Sequence, residues 1–121
     1  MSHSQLPHRH GQESEDILEQ IPQAEAFQSV ADLLRQLSDS NRLRLFWLLC
    51  HCEECVINLS AMMGMSSPAL SHHLKQLKNA GLIVSRRDGK EVYYRSADTT
   101  EAKLLHDQME AILSIRCPKE A

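Results

Sequence analysis

The chain has 121 residues, 42% hydrophobic, 4% aromatic and 24% charged, with a formal net charge of −3. This is one domain's worth of chain with one modest core and no room for a second sensory domain, and so few rings leave that core to Leu, Ile, Val, Met and Ala, as in packed helices. The acidic total does not by itself suggest nucleic acid, and the lack of any run of about 18 apolar residues or of a signal-peptide pattern argues against a membrane partner and for a cytoplasmic protein.

In chain order, residues 1–14 are polar, contain Pro7 and Gly11 and carry His3, His8 and His10, which reads as a flexible arm. A domain over residues 15–116 follows. Its first segment places Ile17, Leu18, Ile21, Ala24, Phe27, Val30, Ala31, Leu34 and Leu37 at helical spacing, with Pro22 as a break or a helix start. Asp39 or Ser40 caps the next helix, which runs through Leu43, Phe46, Trp47 and Leu49 into the run Cys50-His51-Cys52-Glu53-Glu54-Cys55.

Residues 56–63 form a short apolar helix ending at Gly64. Ser66 or Ser67 then caps a helix over about residues 68–80, with Pro68 where its missing N–H does no harm and Leu70, Leu74 and Leu77 on the buried face. Gly81 sits where a left-handed C-terminal cap is easiest. Leu82, Ile83 and Val84 begin a strand, Asp88-Gly89 is a hairpin turn, and residues 91–95 return. A last amphipathic helix spans residues 99–116, with Ala102, Leu105, Met109, Ile112 and Leu113 or Ile115 on one face and Asp98 as its expected cap. Residues 117–121 form a tail.

Two short helices joined by a glycine-containing turn make a helix-turn-helix, and its second helix is expected in the major groove of double-stranded DNA. That nominates Ser67, Ala69, Ser71, His72 and His73 for base edges and Lys75 and Lys78 for phosphates. The hairpin is a wing whose tip carries Arg86, Arg87 and Lys90. Residues 71–95 hold six basic residues against two acidic, a net +4, whereas residues 1–40 hold two against seven, a net −5. A local basic face is what phosphate contact requires, and it implies salt-dependent binding. The expected fold is therefore mainly α with a small β-hairpin wing, a winged helix-turn-helix. The terminal helices either fold back on their own core or, as we expect, form a homodimer interface that sets two recognition helices on two half-sites.

Four cysteines in a cytoplasmic chain suggest ligands or redox groups rather than structural disulfides. Thiolates favour Zn, Cd, Pb, Cu(I) or As(III) over hard cations. In one continuous helix Cys52 and Cys55 would lie about 60° apart with Cys50 turned away, so a site built of Cys50, Cys52 and Cys55 needs a bend within residues 51–54. Cys117 is either an exposed bystander or a fourth ligand. His8 and His10 could donate nitrogens from the arm of an opposite subunit, although a plain tail is preferred. His106 and Glu110, four apart on the last helix, read as a surface pair. No phosphate-binding glycine loop or nucleophile elbow is present, so nothing supports an enzyme.

The run SDSNRLRLFWLL, then EECVINL, then MSSPALSHHLKQLKNAGLIVSRRDGKEVYY resembles the ArsR/SmtB family of metal-sensing repressors over about residues 25–115. The resemblance implies a homodimeric winged-helix repressor that binds operator DNA and releases it when a metal or metalloid inducer binds. Cys55 matches the cysteine of the family's ELCVxDL metal motif, while Ile57 and Asn58 depart from it. The Cys-x-Cys-x-x-Cys spacing is similar to that of arsenic-responsive members but shifted. In the family's other site, between C-terminal helices, Asp98 matches a ligand, whereas Thr100, Ala111 and Ser114 replace the rest, so that site is expected to be lost. The alternative is a thiol redox or persulfide sensor on the same fold, joining Cys117 to one of the other cysteines.

Overall fold

A computed structural model describes residues 6–116 and divides the chain into two compact units, residues 1–32 and 33–121. The first unit holds α1 (Glu13–Gln20) and the greater part of α2 (Ala24–Gln36). Ile21-Pro22-Gln23 separates them, so Pro22 acts as the expected break. Neither helix has a buried residue, and Ile17, Ile21, Phe27 and Val30 stand exposed.

The second unit is a winged helix-turn-helix of α3 (Ser40–His51), β1 (Glu54–Cys55), α4 (Val56–Met63), α5 (Ser67–Asn79), β2 (Ile83–Asp88), β3 (Glu91–Ser96) and α6 (Thr100–Arg116). Asp39, in extended conformation, caps α3 by accepting the Arg42 N–H at 2.9 Å. Both helices of the motif end on a left-handed glycine. At Gly64 (φ 65°) the Met65 N–H reaches back to Ser60 O at 3.2 Å, and at Gly81 (φ 77°) the Leu82 N–H reaches Leu77 O at 3.0 Å. Each turn thus satisfies the free carbonyls of its helix and sets the angle of the next element.

Leu45, Phe46 and Leu49 of α3, Leu59 and Met63 of α4, Leu70, Leu74 and Leu77 of α5, Leu82 and Ile83 at the start of the wing, and Ala102 and Met109 of α6 close one core. Each fully buried Leu or Phe contributes roughly 1.5–3 kcal/mol. This core fixes α5 and the wing relative to α3 and α6.

Four features differ from the sequence reading. Helix α1 begins at Glu13, within the residues 1–14 expected to be a flexible arm. Helix α5 starts at Ser67, one residue earlier than expected. The cap of α6 is Thr99, whose Oγ1 accepts the Ala102 N–H at 3.2 Å, and not Asp98, whose carboxylate pairs with Lys103 at 2.8 Å. The sheet has three strands rather than two, in the order β1-β3-β2 and antiparallel throughout. The added strand, Glu54–Cys55, pairs Glu54 with Tyr94 and Cys55 with Tyr93. Among the described residues no helix is long and apolar enough to cross a membrane.

Candidate functional site

Helix α5 begins where Ser66 accepts the Ala69 N–H at 3.3 Å, with Pro68 in the first turn. Ser67, Ala69, Ser71, His72, Lys75 and Lys78 all lie on its exposed side. Lys78 Nζ reaches Ser85 Oγ at 2.7 Å and so ties the helix to β2. His73 faces the other way. Its side chain is 15% exposed, its Nε2 lies 3.9 Å from Asp39, and its Nδ1 is buried without a hydrogen-bond partner.

The wing tip separates its three basic residues by what they touch. Arg87 and Lys90 project as exposed side chains. Arg86 forms a two-pronged pair with Glu53, its Nη2 2.7 Å from one carboxylate oxygen and its Nε 3.0 Å from both, while its guanidinium covers the Tyr93 ring at 4.9 Å. The Arg86 hydrogen bonds hold the Glu53 carboxyl below the usual carboxylate range. Arg95 adds a second cation to Glu53 at 3.7 Å.

The cysteine run bends where a shared ion would need it to. α3 stops at His51, Cys52 is fully extended (φ −152°, ψ 161°), and Cys55 lies buried in β1. Cys52 donates its thiol proton to Leu48 O at 3.2 Å. Burial pushes the Cys50 thiol up to about 11, against a hydrogen bond to Ser96 that lowers it, and the Glu110 carboxylate adds to the rise. Burial and then Glu54 raise Cys52 as well. The three thiols are adjacent in the chain but do not converge on one point. Cys117 lies outside the described residues. His8 and His10 stack on each other with centroids 5.9 Å apart, in the first unit.

Among the described residues, the one trio of candidate ligand atoms mutually within 4.8 Å is His51, His106 and Glu110. His51 is the last residue of α3, and the other two lie one turn apart on α6. The Nε2 atoms of both histidines are 3.1 Å apart, and each is 3.1 Å from Glu110 Oε1. Trp47 backs the His51 ring at a centroid distance of 4.3 Å. The sequence reading found the His106–Glu110 pair and missed His51. A histidine inside a cysteine run was the available signal.

The family model of the bacterial regulatory protein, arsR family, matches residues 39–85. The chain is 42% identical over 67 residues to the cadmium resistance transcriptional regulatory protein CadC of Listeria innocua, covering 54% of this chain and 56% of that one. It is 36% identical over 70 residues to the arsenical resistance operon repressor of Staphylococcus aureus, covering 58% and 67%. Over the first curated relatives it matches, the chain spans 54% to 60% of their length. Its fold is similar to the homodimeric winged helix-turn-helix DNA-binding domain Mb0332 of Mycobacterium bovis, with a TM-score of 0.69, 28% identity, and 78% of this chain and 86% of that one covered.

Proposed function

This chain belongs to the arsR family of bacterial regulatory proteins, and from that premise we propose that it is a homodimeric transcriptional repressor that leaves its operator when a thiophilic metal or metalloid ion binds the cysteine run. In this reading α5 enters the major groove and presents Ser67, Ala69, Ser71 and His72 to base edges, while Lys75, Lys78, Arg87 and Lys90 meet phosphates. An apolar face of α2, α3 and α6, with Leu34, Leu37, Trp47, Ile112 and Leu113, takes a second copy of the chain. The homodimeric Mycobacterium bovis domain supports that assignment. Cys50, Cys52 and Cys55 are the ligands, and Cd, Pb, As(III), Zn and Cu(I) are the candidate inducers.

One observation carries the mechanism. Residues 53–55 are part of the wing: β1 pairs with β3, and Glu53 holds Arg86 and Arg95. An inducer shifts a population only as far as its affinities for two states differ. In the structure the three thiols lie apart, so gathering them on one ion would move residues 52–55 and with them the wing. Loss of operator affinity follows from the same displacement. Burial raises both Cys50 and Cys52, which weighs against a reactive persulfide-sensing thiol and equally means that a bound ion must displace the thiol protons.

Replacing Cys55 tests this directly. The Cys55→Ser protein is expected to bind promoter DNA with wild-type affinity and to stay bound when the inducing ion is added. Normal induction in that variant would remove Cys55 from the site.

A further inference from the structure

We propose that His51, His106 and Glu110 form a second cation site, separate from the cysteine run, for a divalent ion of borderline softness such as zinc. The three atoms make an equilateral triangle of 3.1 Å edges. Zinc held at about 2.0–2.1 Å by nitrogen and oxygen donors in tetrahedral geometry spaces those donors by about 3.3–3.4 Å, so the triangle needs to open by only about 0.3 Å. Hydrogen bonding alone accounts poorly for the arrangement. A neutral imidazole has one N–H, lying in the ring plane, so two rings cannot satisfy all three edges, and one edge is left facing like to like. A cation at the centre satisfies all three.

The surroundings suit an ion that binds with one open position. His51 and Glu110 are each 42% exposed and His106 25%, so water completes the coordination. A polar cleft of about 280 Å³, with Cys50, Ser96 and His106 in its lining, opens beside the trio. Asp107 lies 3.8 Å from His106 Nδ1, an ion-pair distance beyond hydrogen-bond range. Two imidazoles and one carboxylate select zinc, cobalt or nickel over As(III), Pb or Cu(I), which seek sulfur. This donor set uses none of the positions Asp98, Thr100, Ala111 or Ser114. The bound ion clamps the end of α3 to α6 and leaves Cys52 and Cys55 untouched.

Cobalt(II) absorption of the reduced full-length protein, competed with zinc, decides the matter without DNA and so independently of the repressor reading. In a Cys52→Ser/Cys55→Ser double variant one cobalt per chain is expected, with d–d bands but no thiolate charge-transfer band; cobalt held by the cysteine run of the wild type adds such a band separately. His106→Ala and the isosteric Glu110→Gln should each weaken binding by more than about tenfold, the least that even outer partners of a ligand cost. Circular dichroism confirms that each variant is folded, and the exposed Glu110→Gln serves if His106→Ala is not. Undiminished affinity in the folded His106→Ala and Glu110→Gln variants, or no cobalt bound by the Cys52→Ser/Cys55→Ser double variant, would each overturn the assignment.

Discussion

Arg86 and Arg87 are neighbours in the chain, yet their side chains are committed differently. Arg86 is engaged by Glu53 and Tyr93, whereas Arg87 extends into solvent at the wing tip. The same split occurs between His72, exposed on α5, and His73, turned toward Asp39. We therefore expect Arg87→Ala to weaken operator binding across DNA sequences and to reduce the salt slope of log K by about 0.9, one phosphate contact. His72→Ala should instead blunt discrimination between operator and random DNA. Anisotropy titrations at several salt concentrations measure both, and unchanged affinity and slope in the two variants would contradict the assigned face. Composition and spacing revealed which stretch was basic. They could not tell which arginine the fold would use internally, because Glu53 lies 33 residues from Arg86 and meets it only when the sheet forms.

Among the elements, the helices α3, α4 and α5 were the most legible, because the sequence carried their punctuation: Asp39 or Ser40 and Ser66 or Ser67 as caps, Gly64 and Gly81 as stops. Strand β1 was not legible. Two residues hold no periodicity, and their strand character comes wholly from pairing with β3. The cap of α6 was misplaced by one residue because Asp98 and Thr99 are both good caps and the choice fell to Lys103, which engages Asp98. The glycine stops give a clean test. At Gly81 an added Cβ would meet nothing within 4 Å, so any penalty for Gly81→Ala arises from its φ of 77° and not from crowding. We expect a loss of about 1 kcal/mol in denaturant unfolding, with Gly81→Asn recovering part of it, since asparagine tolerates the left-handed region. A Gly81→Ala protein as stable as wild type would show that the turn relaxes.

At the scale of the whole molecule, the second unit joins the helix proposed to face DNA, a wing and two groups of potential ligands through one core. The cysteine run stands out in the sequence as three thiols within six residues. Its geometry was not legible, because the end of α3 at His51 and the pairing of β1 are tertiary outcomes. The trio of His51, His106 and Glu110 was less legible still, with 55 residues separating its histidines. The central claim is that thiol ligation and operator binding exclude each other through residues 52–55, with a coupling of about 1–3 kcal/mol typical of such switches. The most direct measurement is fluorescence anisotropy of the reduced protein on DNA from its own promoter, titrated in turn with Cd, Pb, Zn, Cu(I), As(III) and a persulfide donor. Release by a thiophilic ion at about one equivalent per subunit is the predicted result. Release by the persulfide donor alone, reversed by a reductant, would contradict it and move the cysteines from ligation to redox chemistry.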